Sequence, residues 1–256
     1  MHLRETPRSP PSILPPPLVP SAYGYGPFDN AALVVRATRL RAFGRSESFV
    51  MRHAYAPFII GGPAHWTNSW GALRYDPDGT IRRHLGQDVF CERGTPVLAA
   101  EAGRVEFGSD RLGGLVARLH RDLGGYFYYA HLSAWNIEDL SSGDQVTTGD
   151  VIGYCGDSGN AAGSAPHVHF GYYAAGPQDP MGFLLDWDRR ARRRASVRLG
   201  EEVAGVEASA LERRFGDDLV PDPEHPIDGA GETIEVLVDA AIEEPRSQRD
   251  DRAEGN

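Results

Sequence analysis

Four histidines and one aspartate of this 256-residue chain stand at spacings suited to metal chemistry. His84 and Asp88 lie four positions apart with Gly86 between them. In an extended strand residues i and i+4 share a face, because side chains alternate. A helix aligns them as well, but the surrounding glycines and β-branched residues favour strand or loop. His167-Val168-His169 puts two imidazoles on one side of a strand and Val168 on the other. His131 closes an aromatic run, Tyr126-Phe127-Tyr128-Tyr129-Ala130. Imidazole and carboxylate are good zinc ligands, and a catalytic zinc takes three of them while leaving a position for water. The metal lowers the pKa of that water towards ~7. One carboxylate and two neutral imidazoles leave a site of net positive charge, which suits an oxyanion formed by attack on a carbonyl. Two histidines then remain to handle protons, work that an ordinary imidazole pKa near ~6.5 permits. Taken singly, each element is equally at home as a surface polar residue or a satisfied core histidine. Their coincidence in one glycine-rich region singles them out.

The elements that must position these residues read as short strands. From about 80 to 173, apolar runs alternate with glycine turns such as Gly113-Gly114, Gly124-Gly125 and Gly143-Asp144. Spacing of roughly ten residues per strand predicts a mainly β fold with an antiparallel core. Leu33–Leu40 and Ser46–Ile60 also read as strands. Met181–Trp187 reads as a helix start or a terminal turn. Within Tyr126–Tyr129, alternate tyrosines either line a groove or fill the core.

This divides the chain into a proline-rich disordered arm over 1–30 and an all-β domain over 31–187. An arginine-rich segment over 188–200 and an acidic, partly disordered tail over 201–256 follow. Stretches 201–215 and 232–244 are amphipathic enough for short helices. The net charge of −10 is a property of the tail. Residues 1–200 hold 21 Arg against 19 Asp and Glu, whereas 201–256 hold 5 Arg against 17. No apolar run approaches the ~20 residues of a membrane-spanning helix, and no secretory signal peptide is visible. Cys91 and Cys155, 64 positions apart, are expected to be free buried thiols rather than a bridge. The six arginines of Arg189–Arg198 could bind an anionic polymer, pair with the acidic tail, or form a solvated helix face.

From about Asn68 to Leu184 the chain resembles the lysostaphin-type zinc endopeptidases. Trp70-Gly71-Ala72-Leu73-Arg74 is similar to the family's lead-in segment. His84-Leu85-Gly86-Gln87-Asp88 resembles its His-x-Gly-x-Asp motif. Tyr129-Ala130-His131-Leu132 resembles its Tyr-x-His-Leu signature, and His167-Val168-His169-Phe170 its closing His-x-His-Phe. The motifs come in family order. The resemblance implies one zinc ion held by His84, Asp88 and His169. His131 and His167 would flank the water as catalytic base and hydrogen-bond donor, in an order left open. It implies hydrolysis of peptide bonds in bacterial cell-wall peptidoglycan, and a cell-envelope or extracellular location whose export route is open.

Two other readings compete. One is a non-catalytic wall-binding or regulatory scaffold of the same fold; such proteins typically lose metal ligands, and all are present here. The other is a cupin-like metal site, which joins its His-x-His to a downstream glutamate and histidine, whereas here the His-x-His closes the core and the aspartate precedes it. A thermolysin-type site is excluded, because no His-Glu-x-x-His helix exists. His120 reads as structural or groove-lining, and His2, His53, His65 and His225 have no supporting context.

Overall fold

A computed structural model describes Pro15, residues 18–76 and residues 79–215. Fourteen strands and three α-helices occur among the described residues. In chain order they are β1 (Phe28–Asp29), α1 (Ala31–Ala42), α2 (Glu47–Val50), β2 (Ala64–Trp66), β3 (Leu73–Tyr75), β4 (Ile81–Arg83) and β5 (Gln87–Cys91). Then come β6 (Pro96–Leu98), β7 (Gly103–Asp110), β8 (Gly114–Arg121), β9 (Tyr126–Leu132), β10 (Ala134–Trp135) and β11 (Gln145–Val146). β12 (Val151–Tyr154), β13 (His167–Tyr173), β14 (Pro177–Gln178) and α3 (Met181–Phe215) complete the order.

The fold is mainly antiparallel β, as the alternating runs imply. The larger sheet runs β1-β2-β5-β13-β9-β8-β7-β11, with β14 on β13. A three-stranded sheet, β10-β12-β6, and the β3–β4 hairpin stand beside it. Alternation gives the larger sheet two faces. Val89, Val168, Phe170, Phe127 and Tyr129 point into the core. Asp88, His169 and Tyr128 belong to the opposite face and line a groove.

The helices correct one expectation. Leu33–Leu40 is helical, within α1, and Ser46–Ile60 is helical as far as a π-helical turn at Met51–Tyr55. Leu33, Ala37 and Leu40 are fully buried at helical spacing, and that period outweighs the β-branched Val34 and Val35. The Ser46 side chain accepts from the Phe49 amide, capping α2. α3 buries Met181, Leu184, Trp187, Ala191, Ala195 and Leu199 along one stripe. Trp187 meets Phe127 edge-on at 5.1 Å, which seats the helix on the core face. α1 crosses nearby, with Arg36 Nε donating to Ser196 Oγ at 2.8 Å.

α3 continues unbroken through 188–200 and as far as Phe215, so the first amphipathic stretch is the end of a long helix. Within Arg189–Arg198, Arg189 and Arg190 pair with Asp186, Arg192 with Asp188 and Arg198 with Glu201. The stretch 232–244, His2 and His225 lie outside the described residues. The proline-rich arm is described at Pro15 and from Leu18 onward, where it lies against the domain. Trp70 Nε1 donates to Val19 O, and Asn68 Nδ2 donates to Ser21 Oγ and Tyr23 O.

The cysteines are a second correction. Cys91 and Cys155 are joined in a disulfide, with Cα atoms 6.3 Å apart. Distant in sequence, they meet because Cys91 ends β5 and Cys155 follows β12, and both are buried. No helix among the described residues is long and apolar enough to cross a membrane.

Candidate metal centre

Register builds the site. Antiparallel pairing of β13 with β5 puts His169 directly opposite Asp88, and pairing with β9 puts it opposite Ala130. His84 lies in the short link between β4 and β5. Its Nε2 is 2.9 Å from Asp88 Oδ1 and 2.8 Å from His169 Nδ1. His169 Nδ1 is 3.2 Å from Asp88 Oδ1. One ligand atom from each residue therefore lies within 4.8 Å of the other two.

The proton inventory fits a cation. The Ser69 carbonyl oxygen, 3.0 Å from His84 Nδ1, can only accept, so a neutral His84 carries its proton there. Its Nε2 then turns a lone pair towards a carboxylate oxygen and a second imidazole nitrogen. Donors around one ion, each ~2.1 Å from it, stand ~3.3 Å from one another. The observed separations approach that, so these three residues could hold a divalent metal ion.

Gly86 makes the convergence possible. A Cβ there would stand 2.8 Å from both Cε1 and Nε2 of His169 and 2.5 Å from Phe170 O. The glycine of His-x-Gly-x-Asp thus makes room for the His169 imidazole. Burial by itself would raise the Asp88 carboxyl, but in the metal-free site hydrogen bonds from His169 and His84, each with a proton on the nitrogen that faces it, outweigh burial and hold the group far below the usual carboxylate range. Burial also pushes the His169 imidazole down.

His131 and His167 face the same groove. Each donates from Nδ1 to a backbone carbonyl, Ser158 O at 2.8 Å and Ala165 O at 2.9 Å. Each neutral ring therefore presents a bare Nε2. His167 Nε2 is 3.9 Å from Asp88 Oδ1. The two rings have centroids 4.9 Å apart. His131 is the non-glycine residue with positive φ, +62°, among the described residues. Such a conformation is held only by its surroundings. Here its amide donates to Gly113 O at 2.7 Å and its ring is anchored on Ser158. Burial pushes its imidazole down to about 4.

The groove encloses about 1190 Å³ and is open to solvent. All five predicted residues line it, with Arg74, Arg111, Tyr128 and Tyr173, and with Pro15 and Leu18 of the arm. Tyr128 donates to Asp110 Oδ2 at 2.9 Å, whereas Tyr129 is core and accepts from the Ala100 amide. The strand thus uses one tyrosine for each alternative. The remaining described histidines lie elsewhere. His120 pairs with Glu106, His65 stacks on Phe90 and the His53 ring packs tilted against Phe49. Sequence reasoning missed the groups that orient these side chains. Ser69 and Ser158 act through backbone carbonyls, which leave no side-chain signal. Arg74 was visible only as part of a motif, without a role.

The family model for Peptidase family M23 matches residues 82–180. The L-Ala--D-Glu endopeptidase of Bacillus subtilis (strain 168) is 32% identical over 148 residues, covering 54% of this chain and 44% of that protein. Lysostaphin of Staphylococcus simulans is 37% identical over 109 residues, covering 40% of this chain and 21% of that protein. This chain thus spans less than half the length of these curated relatives. Among solved structures, the catalytic domain of lysostaphin from Staphylococcus simulans is 34% identical, covers 45% of this chain and 88% of that one, and superposes with a TM-score of 0.40. The motifs and the sequence relatives agree that residues 82–180 form a domain of Peptidase family M23.

Proposed function

We propose that this protein is a zinc-dependent endopeptidase hydrolysing peptide bonds in bacterial cell-wall peptidoglycan. The observation that carries the reading is the meeting of His84, Asp88 and His169 at one point, with the bare Nε2 atoms of His131 and His167 turned into the same groove. The names of its relatives support the substrate class, because they include an L-Ala--D-Glu endopeptidase and a glycyl-glycine endopeptidase.

His84, Asp88 and His169 would hold the zinc. When bound, the ion supplies a Lewis acid and lowers the pKa of water towards ~7. The residues of the chain do the rest. One of His131 and His167 takes the water's proton at its bare Nε2 and passes it to the leaving amine, and the other, protonated at Nε2, donates to the oxygen of the scissile carbonyl. Their Nδ1 protons are fixed on carbonyls, so each ring works through one nitrogen. The open groove admits an extended peptide across the histidines, with Tyr128 and Tyr173 along its wall.

The test is mass analysis of muropeptides released from purified cell walls by the zinc-loaded protein. Release of defined peptides, lost in His84→Ala and His169→Ala, supports the reading. Wall binding without any released peptide points instead to a non-catalytic scaffold.

A further inference from the structure

We propose that Arg74 is a positioning residue of this centre, committing Asp88 to offer a single oxygen towards the metal; the inference rests on the metal-site reading above. The two carboxylate oxygens of Asp88 have different partners. Oδ1 faces His84 and His169 at 2.9 and 3.2 Å, while Oδ2 accepts from Arg74 Nη2 at 2.8 Å. Asp88 is mostly buried and Arg74 partly so, with side-chain exposures of 16% and 32%. A charge-assisted bond in such surroundings is among the stronger ones.

The backbone explains why the arginine stays in place. Arg74 sits on β3, paired through Arg82 with β4, and β4 leads straight into His84. The His84 amide donates to Ala72 O at 2.8 Å and the Gly71 amide donates to His84 O at 2.9 Å. The same segment supplies Ser69 O to His84 Nδ1. Residues 69–74 therefore orient two of the three ligands, although they precede the matched segment 82–180.

The chemical consequence concerns how many atoms the site presents. A carboxylate with both oxygens unengaged can grip a cation through both. With Oδ2 held by a guanidinium, Asp88 contributes one donor, as does each histidine. Arginine suits this task, because it stays charged and its planar fork holds direction. Partners that orient ligands in this way typically govern affinity or activity by 10–100-fold.

Cobalt(II) in place of the native metal tests this without requiring turnover. Its visible absorption is strong in four-coordinate sites and weak in higher coordination. In the full chain, Arg74→Ala should lose visible absorption intensity while still binding cobalt. On the wall peptides cleaved by the wild type, kcat should fall about 10-fold with KM unchanged. Arg74→Lys, which keeps a charge and a donor, should recover both. A wild-type cobalt spectrum in Arg74→Ala overturns the proposal even if kcat falls, because the arginine would then act on substrate. Should Arg74→Ala fail to fold by circular dichroism, Arg74→Gln takes its place, and a wild-type spectrum there is equally fatal. A changed spectrum in a protein that releases no wall peptide keeps Arg74 in this role and removes the peptidase reading instead.

Discussion

His169 stands directly across the sheet from Asp88, and its Nδ1 lies 3.2 Å from the carboxylate Oδ1. The pair is a product of strand register. A slip of one residue would send either side chain to the core face, where Val89 and Val168 now sit fully buried. The polar pair and the apolar pair next to it therefore specify the same register, one through the groove and one through the core.

Removing a ligand should empty the site, whereas removing a flanking histidine should not. His84→Ala and His169→Ala are expected to lose stoichiometric zinc, measured as metal content after dialysis. His131→Ala should keep its zinc and lose peptide hydrolysis by about 10²–10⁴-fold. Full activity in any of the three would contradict the assigned roles.

Gly86→Ala tests the close approach beneath His169. The added Cβ would meet the imidazole and Phe170 O at contacts real Cβ atoms do not make. Because Phe170 O is backbone in β13, the strand itself must shift. We expect a loss of about 1–3 kcal/mol in stability together with weaker zinc binding. Chemical denaturation and competition with a chromogenic chelator measure the two.

The buried His131 ring makes metal-free stability depend on pH in a definite direction. Its folded pKa of about 4 lies below the ordinary 6.5. Between those values the unfolded chain binds more protons, so stability rises with pH across this window and is fully present above it. On lowering the pH from 7 to 4, this one group should cost on the order of 3 kcal/mol. Denaturant midpoints should therefore fall more steeply with acid in the wild type than in His131→Gln. Equal slopes would show that the ring is not held neutral by burial.

The disulfide between Cys91 and Cys155 closes 64 positions of chain around β6 to β12. Constraining so long a loop in the unfolded state stabilises by about 2–4 kcal/mol. The double variant Cys91→Ala, Cys155→Ala should lose that amount in urea melts. Labelling of the denatured wild-type protein by a thiol reagent, before any reductant is added, would show the bridge to be absent.

Much of this site was legible in the chain because its chemistry is local. His167 and His169 share a face through alternation at the shortest possible spacing, whereas His84 stands in the link between β4 and β5 and reaches Asp88 from there. The antiparallel β core followed from the same alternation. Tertiary structure alone decided the rest. Leu33–Leu40 contains β-branched residues that fit a strand, but burial of Leu33, Ala37 and Leu40 on one side selects a helix. Cys91 and Cys155 are joined because β5 and the end of β12 come together, a proximity that spacing along the chain does not encode. The orienting groups, Ser69 O, Ser158 O and Arg74, act through backbone carbonyls or a charge from another strand. A sequence lists the side chains available for chemistry, but only the folded backbone fixes which carbonyl or guanidinium sets the proton and direction of each.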